Sequence, residues 1–276
     1  MTCRVILAAL LILICCWNSV LALASPDSVL FPVPDKNAIT FWGHACVYID
    51  VDGYGIVLDP AFEERAFLRW RRVPAPPPSS YAGTSLILIT HAHPDHLSLS
   101  TIRTFPPDAT ILCPKPSERF ISTLGMTVKA MNPGDSFDFP GGRVVAVLAR
   151  HAGTRYGIRS QTDGGALGYV VYTKHSTVYC SGDTNLFTGF DEVGRTHSPD
   201  IAIFNVSGHL HGDDAVEAAR RVGADIIIPI HFAAYGHFFI PERKKPRDYD
   251  EMAESLGDRL VLLGLGESYS LHRTDH

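Results

Sequence analysis

Ser85-Leu86-Ile87-Leu88-Ile89-Thr90-His91-Ala92-His93-Pro94-Asp95-His96 sets an apolar run directly against three imidazoles and a carboxylate. The run is short and bounded by polar residues, as a buried strand is. Neutral imidazole nitrogen and carboxylate oxygen are the donors that hold zinc and similar divalent ions. Alternate residues of an extended chain project to one side, so His91 and His93 can grip a single ion. Asp95 and His96 fall where the chain turns toward a helix expected over Leu97 to Phe105, and they face another direction. One segment can therefore serve two adjacent metals. A solvated turn would also be polar, but it leaves unexplained why the same donor types return at later strand ends.

The rest of the chain reads as strands mixed with helices. Ala38 to Trp42 and Cys46 to Val51 form a strand pair around Gly43-His44, and Gly53 turns the chain into Gly55 to Leu58, ending at Asp59-Pro60. An irregular segment follows, centred on Val73 to Ser80; its three consecutive prolines exclude helix and central strand, and its place before the ligand stretch suits the rim of a site. Further strands are expected at Asp108 to Pro114, Thr127 to Met131, Val144 to Leu148, Gly168 to Tyr172, Thr177 to Cys180, Ile201 to Val206, Ala224 to Ile230 and Leu260 to Leu263. Helices are expected from a Ser117 cap to Leu124, over Asp213 to Val222 with acids at its start and Gly223 at its stop, and around Tyr249 to Leu256. Many strands interspersed with helices argue for a layered α/β (α+β) domain with two sheets rather than a doubly wound single sheet. His91, His151, Asp183 and His231 each come directly after a strand. Polar side chains at one end of a sheet converge, which is where α/β proteins build their sites.

With 276 residues, 46% of them hydrophobic, the chain can bury one sizeable core. The charge balance is 24 Lys plus Arg against 29 Asp plus Glu, with no basic stripe, which excludes nucleic acid as the main partner. A local cationic pocket for a phosphate-bearing small substrate stays open. At the N-terminus, Arg4, the apolar run from Val5 to Cys16 and the small residues of Ala22-Leu23-Ala24 form a signal-peptide pattern over residues 1–24, leaving 25–276 as an exported domain. An uncleaved membrane anchor is the alternative. Cleavage leaves Cys46, Cys113 and Cys180, so at most one disulfide forms, and Cys180 suits burial as a small hydrophobe.

Taken together, Phe41-Trp42-Gly43-His44-Ala45, Leu58-Asp59-Pro60, Thr90 to His96, Arg150-His151, Ser181-Gly182-Asp183-Thr184 and Pro229-Ile230-His231-Phe232 resemble the motifs of the metallo-β-lactamase superfamily. Within it, the chain looks like the branch of ascorbate-6-phosphate lactonases and N-acyl-phosphatidylethanolamine phospholipase D enzymes. The matching pieces run in the family's order from about residue 38 to the C-terminus, and the HxHxDH element is the most specific. The resemblance implies a four-layer αββα sandwich of two mixed sheets flanked by helices, with two divalent ions at one edge: zinc, or manganese or iron on the same ligands. It implies His91, His93 and His151 on the first ion, Asp95, His96 and His231 on the second, and Asp183 bridging both. Asp59 matches a position whose implied role is to support a ligand imidazole, in keeping with the carboxylate partners that metal-bound histidines commonly have.

Several residues compete for lesser roles. His44 lines the site or orders its loop. His209 and His211 flank Leu210 before a helix; a loop pair is the plainer reading, with His211 positioned to touch substrate. Arg155, four residues past His151, is the better candidate for anion contact, ahead of Trp70-Arg71-Arg72. Phe232, Tyr235, Phe238 and Phe239 suit an apolar wall for an acyl or aryl group, with Tyr235 as a substrate residue, although core packing explains some of them. There is no GxSxG, phosphate-binding loop or dinucleotide turn.

The expected function is an exported metal-dependent hydrolase that activates water between two ions, with Asp95 or Asp183 handling the proton. A phosphodiester or phospholipid-type substrate is favoured, as a small or lipid-like molecule met with peripheral membrane contact. A lactone or amide hydrolase on the same site is the rival within the class. A non-catalytic metal-binding module is the rival outside it, disfavoured because structural zinc sites are closed.

Overall fold

The structure, a computed structural model, describes residues 31–66, 69–153, 165–206, 210, 212–237 and 248–272. The segment expected to be a leader, residues 1–24, and the candidates Arg155, His209, His211, Phe238 and Phe239 lie outside the described residues.

Two large mixed sheets carry the fold. The first contains β1 (Ala38–Gly43), β2 (Cys46–Val51), β3 (Tyr54–Leu58), β6 (Thr84–Leu88), β7 (Thr110–Pro114), β8 (Thr127–Met131) and β16 (Ser268–Ser270), in the order β16-β1-β2-β3-β6-β7-β8. The second contains β9 (Ser136–Phe139), β10 (Gly142–Leu148), β11 (Leu167–Thr173), β12 (Thr177–Cys180), β13 (Ile201–Asn205) and β14 (Ile226–Ile230), in the order β14-β13-β12-β11-β10-β9. Strand alternation builds the layers. Ile39, Phe41, Val47, Ile49, Ile56, Leu58, Leu86 and Leu88 meet Val144, Ala146, Leu167, Tyr169, Val171, Ile203 and Ile228 in one core cluster.

Their neighbours along the strands face outward to helices. Trp42, Tyr48, Val57, Ile87 and Ile111 pack with Ile102 of α1 (Leu99–Ile102) and Ile121 of α2 (Lys115–Ile121). Val170, Tyr179, Ala202, Phe204 and Ile227 pack under α3 (Gly189–His197), α4 (Asp213–Val222) and α5 (Tyr249–Leu256). This is the expected αββα sandwich.

Four expectations need correction. The helix after the ligand stretch is only four residues long: Ser98 caps it by accepting from Thr101 N at 3.0 Å, and β-branched Thr101 and Thr104 with Pro106 discourage extension. α2 begins at Lys115 and Ser117 lies inside it, because Pro116 is pre-organised for a first helical turn. Leu260 to Leu263 is not a strand; Leu260 makes a single bridge to Ile227, and the closing strand is β16, paired with β1. A third sheet was not anticipated. It joins β15 (Tyr235–His237), β5 (Arg69–Arg71) and β4 (Arg65–Ala66), so part of the segment expected to be irregular is ordered strand.

The segment from Val73 to Ser80 is fastened rather than loose. Arg71 donates to the carbonyls of Val73 (3.1 Å), Pro74 (3.2 Å) and Ala61 (3.3 Å), so its guanidinium serves the loop and is not available to a head group. Cys46, Cys113 and Cys180 are free and buried, and burial pushes the Cys113 thiol up to about 12. No helix among the described residues is long and apolar enough to cross a membrane.

Candidate metal centre

Loops at the strand ends deliver two neighbouring groups of donors. Ligand atoms of His91, His93, His151 and Asp183 lie within 4.8 Å of one another, and so do those of His44, Asp95, His96 and His231. The turn after β6 sets them side by side: His96 N and Leu97 N both donate to His93 O, at 3.0 and 2.8 Å, and the His91 and His96 rings lie with centroids 4.1 Å apart. Ala92 N bonds to Gly153 O (3.2 Å) and Arg150 N to Thr184 Oγ1 (2.9 Å), tying together the loops of His91, His151 and Asp183. Gly182 adopts φ +59°, and a Cβ there would meet Leu167 O at 2.8 Å and the Thr90 side chain at 2.9 Å, which is why glycine precedes Asp183.

Hydrogen bonds fix the imidazole tautomers. Asp59, buried behind both groups, accepts from Thr90 N (2.7 Å), from Thr90 Oγ1 (2.6 Å) and from His96 Nδ1 (2.7 Å). With its own proton directed at Asp59, Thr90 Oγ1 accepts from His91 Nδ1 at 3.0 Å. Both imidazoles thus carry the proton on Nδ1 and present a bare Nε2 lone pair to the centre. There, His91 Nε2 faces His93 Nδ1 at 2.9 Å and Asp183 Oδ2 at 3.9 Å, while His96 Nε2 faces His231 Nε2 at 3.1 Å and Asp183 Oδ2 at 3.4 Å. His151 Nε2 closes on His93 Nδ1 at 3.2 Å.

The bare Nε2 atoms of His91 and His96 thus converge on the Asp183 carboxylate, acceptors on an acceptor in a buried site, which a cation between them would relieve. Asp95 Oδ1 is also buried without a hydrogen-bond partner. This donor set fits divalent metal.

The electrostatics agree. Burial pushes His91 and His231 well below the ordinary imidazole range. Burial also lowers His96, but Asp183 and Asp59 outweigh it, so in the metal-free chain a proton is drawn to the position a cation would take. Burial raises Asp183, yet the surrounding His231, His96 and His91 hold it well below the usual carboxylate range.

Asp59 therefore sits where its proposed supporting role requires. His44 is more intimately placed than a lining residue: its Nε2 lies 3.0 Å from Asp95 Oδ2, and its ring lies tilted by 36° against His231 with centroids 3.9 Å apart. His231 N bonds to His44 O and His44 N to Phe232 O, both at 2.6 Å. His44, Asp59 and His231 all have positive φ, a non-glycine conformation that clusters at functional sites. Tyr235 packs edge-on against His44, and its hydroxyl is shared between Ala61 O (3.0 Å) and Glu63 O (3.1 Å). It braces His44 rather than offering a hydroxyl to substrate. Phe232 packs tilted against Phe41 in the core, so packing explains it.

Sequence reading missed two residues. Asn205 Nδ2 holds Asp183 Oδ1 at 2.8 Å. Arg69, on β5, reaches Asp95 Oδ2 with Nη2. The one local hint was Arg at alternate positions around Trp70, which places two guanidinium groups on one face of a strand.

Comparisons with known proteins point the same way. Residues 54–232 match the family model described as a beta-lactamase superfamily domain. A UPF0173 metal-dependent hydrolase of Exiguobacterium is 30% identical over 200 residues, covering 71% of this chain and 86% of that protein. In fold, the chain resembles a metallo hydrolase of the archaeon Ignicoccus hospitalis (TM-score 0.64, 23% identity, 84% of this chain and 97% of that one). It also resembles an isothiocyanate hydrolase from gut bacteria of Delia radicum (TM-score 0.67, 18% identity, 86% and 100%). The αββα layers, the HxHxDH turn and the matched span together make this chain a metal-dependent hydrolase belonging to the metallo-β-lactamase superfamily.

Proposed function

We propose that the chain hydrolyses a phosphodiester or phospholipid-type substrate with two divalent ions, zinc first among them. His91, His93 and His151 would hold one ion, Asp95, His96 and His231 the other, with Asp183 shared. The observation that carries this reading is the Asp183 carboxylate. Its Oδ2 lies 3.4 Å from His96 and 3.9 Å from both His91 and His151, and its Oδ1 lies 3.4 Å from His231, so one side chain addresses both groups.

Bound there, a metal pair supplies a water acidified toward neutrality and an electrophile for the scissile oxygen. The chain's own residues do the rest. Asp59 and Thr90 keep His91 and His96 in the tautomer that offers Nε2. Asn205 orients Asp183. His44 holds Asp95. The likeness to the phospholipase D branch favours a phosphodiester among the possible substrates. The leader pattern supports export, which would bring the protein to a lipid surface or the space beyond it.

Elemental analysis of metal-loaded protein, paired with turnover of a phosphodiester, a lactone, a β-lactam and an isothiocyanate, tests the reading. Two ions per chain and phosphodiester turnover are expected. Turnover of the lactone alone would overturn the substrate class, and one ion per chain would overturn the paired centre. N-terminal sequencing of protein recovered outside the cytoplasm, expected to begin at Ser25, tests export.

A further inference from the structure

We propose that Arg69 is a positioning residue for the second ion, acting through Asp95; this rests on the two-ion reading. Asp95 divides its oxygens unequally. Oδ2 takes His44 Nε2 at 3.0 Å and Arg69 Nη2, while Oδ1 is buried with no hydrogen-bond partner. An ionised carboxylate only accepts, and a buried oxygen left without a donor is costly, so Oδ1 is kept for a cation. With Oδ2 engaged by two donors, Asp95 can offer the ion one oxygen in one orientation.

The third sheet is what brings the guanidinium there. β15 follows His231 by four residues and pairs with β5 in the register Tyr235 to Arg71, Gly236 to Trp70 and His237 to Arg69. Arg69 and Arg71 share a face by strand alternation. The Arg71 guanidinium lies over Tyr235, 5.8 Å from the ring centroid, and Tyr235 in turn packs against His44. Both donors to Asp95 Oδ2 are thus fixed to the same small sheet, which is continuous with the segment carrying His231. A permanent cation so near a metal site would repel the incoming ion unless a carboxylate stood between them, and Asp95 does.

Zinc titration of the metal-free full chain against a chromophoric chelator tests this, with cobalt substitution read by absorption spectroscopy. The wild type should bind two equivalents. Arg69→Gln should keep the first affinity and lose roughly 10–100-fold in the second, as removal of a residue supporting a ligand does. Its cobalt bands should change only at the second equivalent, and Arg69→Lys should recover part of the loss by restoring one N–H to Oδ2. Circular dichroism and the thermal midpoint of the metal-free forms establish folding; if Arg69→Gln does not fold, Arg69→Lys carries the test with a smaller loss confined to the second equivalent. Two wild-type equivalents with unchanged variant affinities, equal loss of both, or tighter second binding would overturn this role while leaving the paired centre standing. A wild type that binds a single equivalent would overturn both.

Discussion

Replacing Asp59 with Asn tests the hydrogen-bond logic of the centre at its root, because one buried carboxylate sets the tautomers in both donor groups. Asp59 accepts three hydrogen bonds, at 2.6–2.7 Å, from Thr90 N, Thr90 Oγ1 and His96 Nδ1. In Asp59→Asn, the amide oxygen keeps Thr90 N and the NH2 group takes the place of Oδ2. A donor now stands where an acceptor was. His96 must move its proton to Nε2, and Thr90 must turn its hydroxyl proton toward His91 Nδ1, which flips His91 as well. Both Nε2 lone pairs are then lost to the ions. The opposite amide orientation sets NH2 against Thr90 N–H and leaves a buried donor unsatisfied, at a cost of about 1–3 kcal/mol.

On the proposed two-ion reading, a loss of roughly 10–100-fold in metal affinity follows for each equivalent, or about 1.4–2.8 kcal/mol. Thr90→Val isolates one branch: it removes the acceptor for His91 Nδ1 but leaves His96 bonded to Asp59, so only the first equivalent should weaken. Chelator-competition titration reads both variants. If Asp59→Asn binds both equivalents as the wild type does, the tautomer argument is wrong.

His93 is only half-buried, so His93→Ala should abolish turnover while leaving the urea midpoint of the metal-free chain close to wild type; full retained activity would dismiss it as a ligand. Gly182→Ala forces a Cβ against Leu167 O and Thr90 at φ +59° and should cost about 1–3 kcal/mol in chemical unfolding, with metal lost as Asp183 is displaced. Acidification should destabilise the chelated protein. Burial lowers His91, His231 and His44 in the fold, so the unfolded chain binds protons below about pH 6.5 that these groups refuse, and stability falls as pH drops through that value. His96, raised, contributes in the opposite sense, with stability present at low pH and lost as pH rises through its folded value. His197, also lowered by burial, joins the first set, and Asp59, raised by burial, joins His96; four groups against two predict a lower urea midpoint at pH 5.5 than at pH 7.5, and an unchanged midpoint would refute this.

What could be read from the chain is what local geometry fixes. His91 and His93 follow an apolar strand at alternate positions, His231 comes directly after β14, Asp183 lies three residues past β12 rather than at its end, and Tyr249–Leu256 is helical as its acid-led apolar pattern requires. Leu260 to Leu263 misled for a physical reason. An apolar run reports burial, and Leu263 is indeed buried in the inter-sheet core, but burial does not by itself build a ladder. The strand that does pair, Ser268–Ser270, is too polar and too short to stand out.

The third sheet was hidden by distance in sequence. Arg69-Trp70-Arg71 has no apolar alternation, and its partner, Tyr235–His237, lies more than 150 residues away, so beyond the alternate arginines little local distinguishes this strand from a solvated loop. His44 stands between the two cases. Its position after a strand is plain in the sequence, but its contact with Asp95 and His231 depends on backbone bonds to Phe232 and from His231 that no local pattern encodes. The donors that address a cation directly sit at strand ends and in one turn, whereas the groups that aim them, Arg69, His44 and Asn205, are brought in by long-range pairing. A motif can therefore identify a metal centre of this kind while the geometry that orients its carboxylates is legible only in three dimensions.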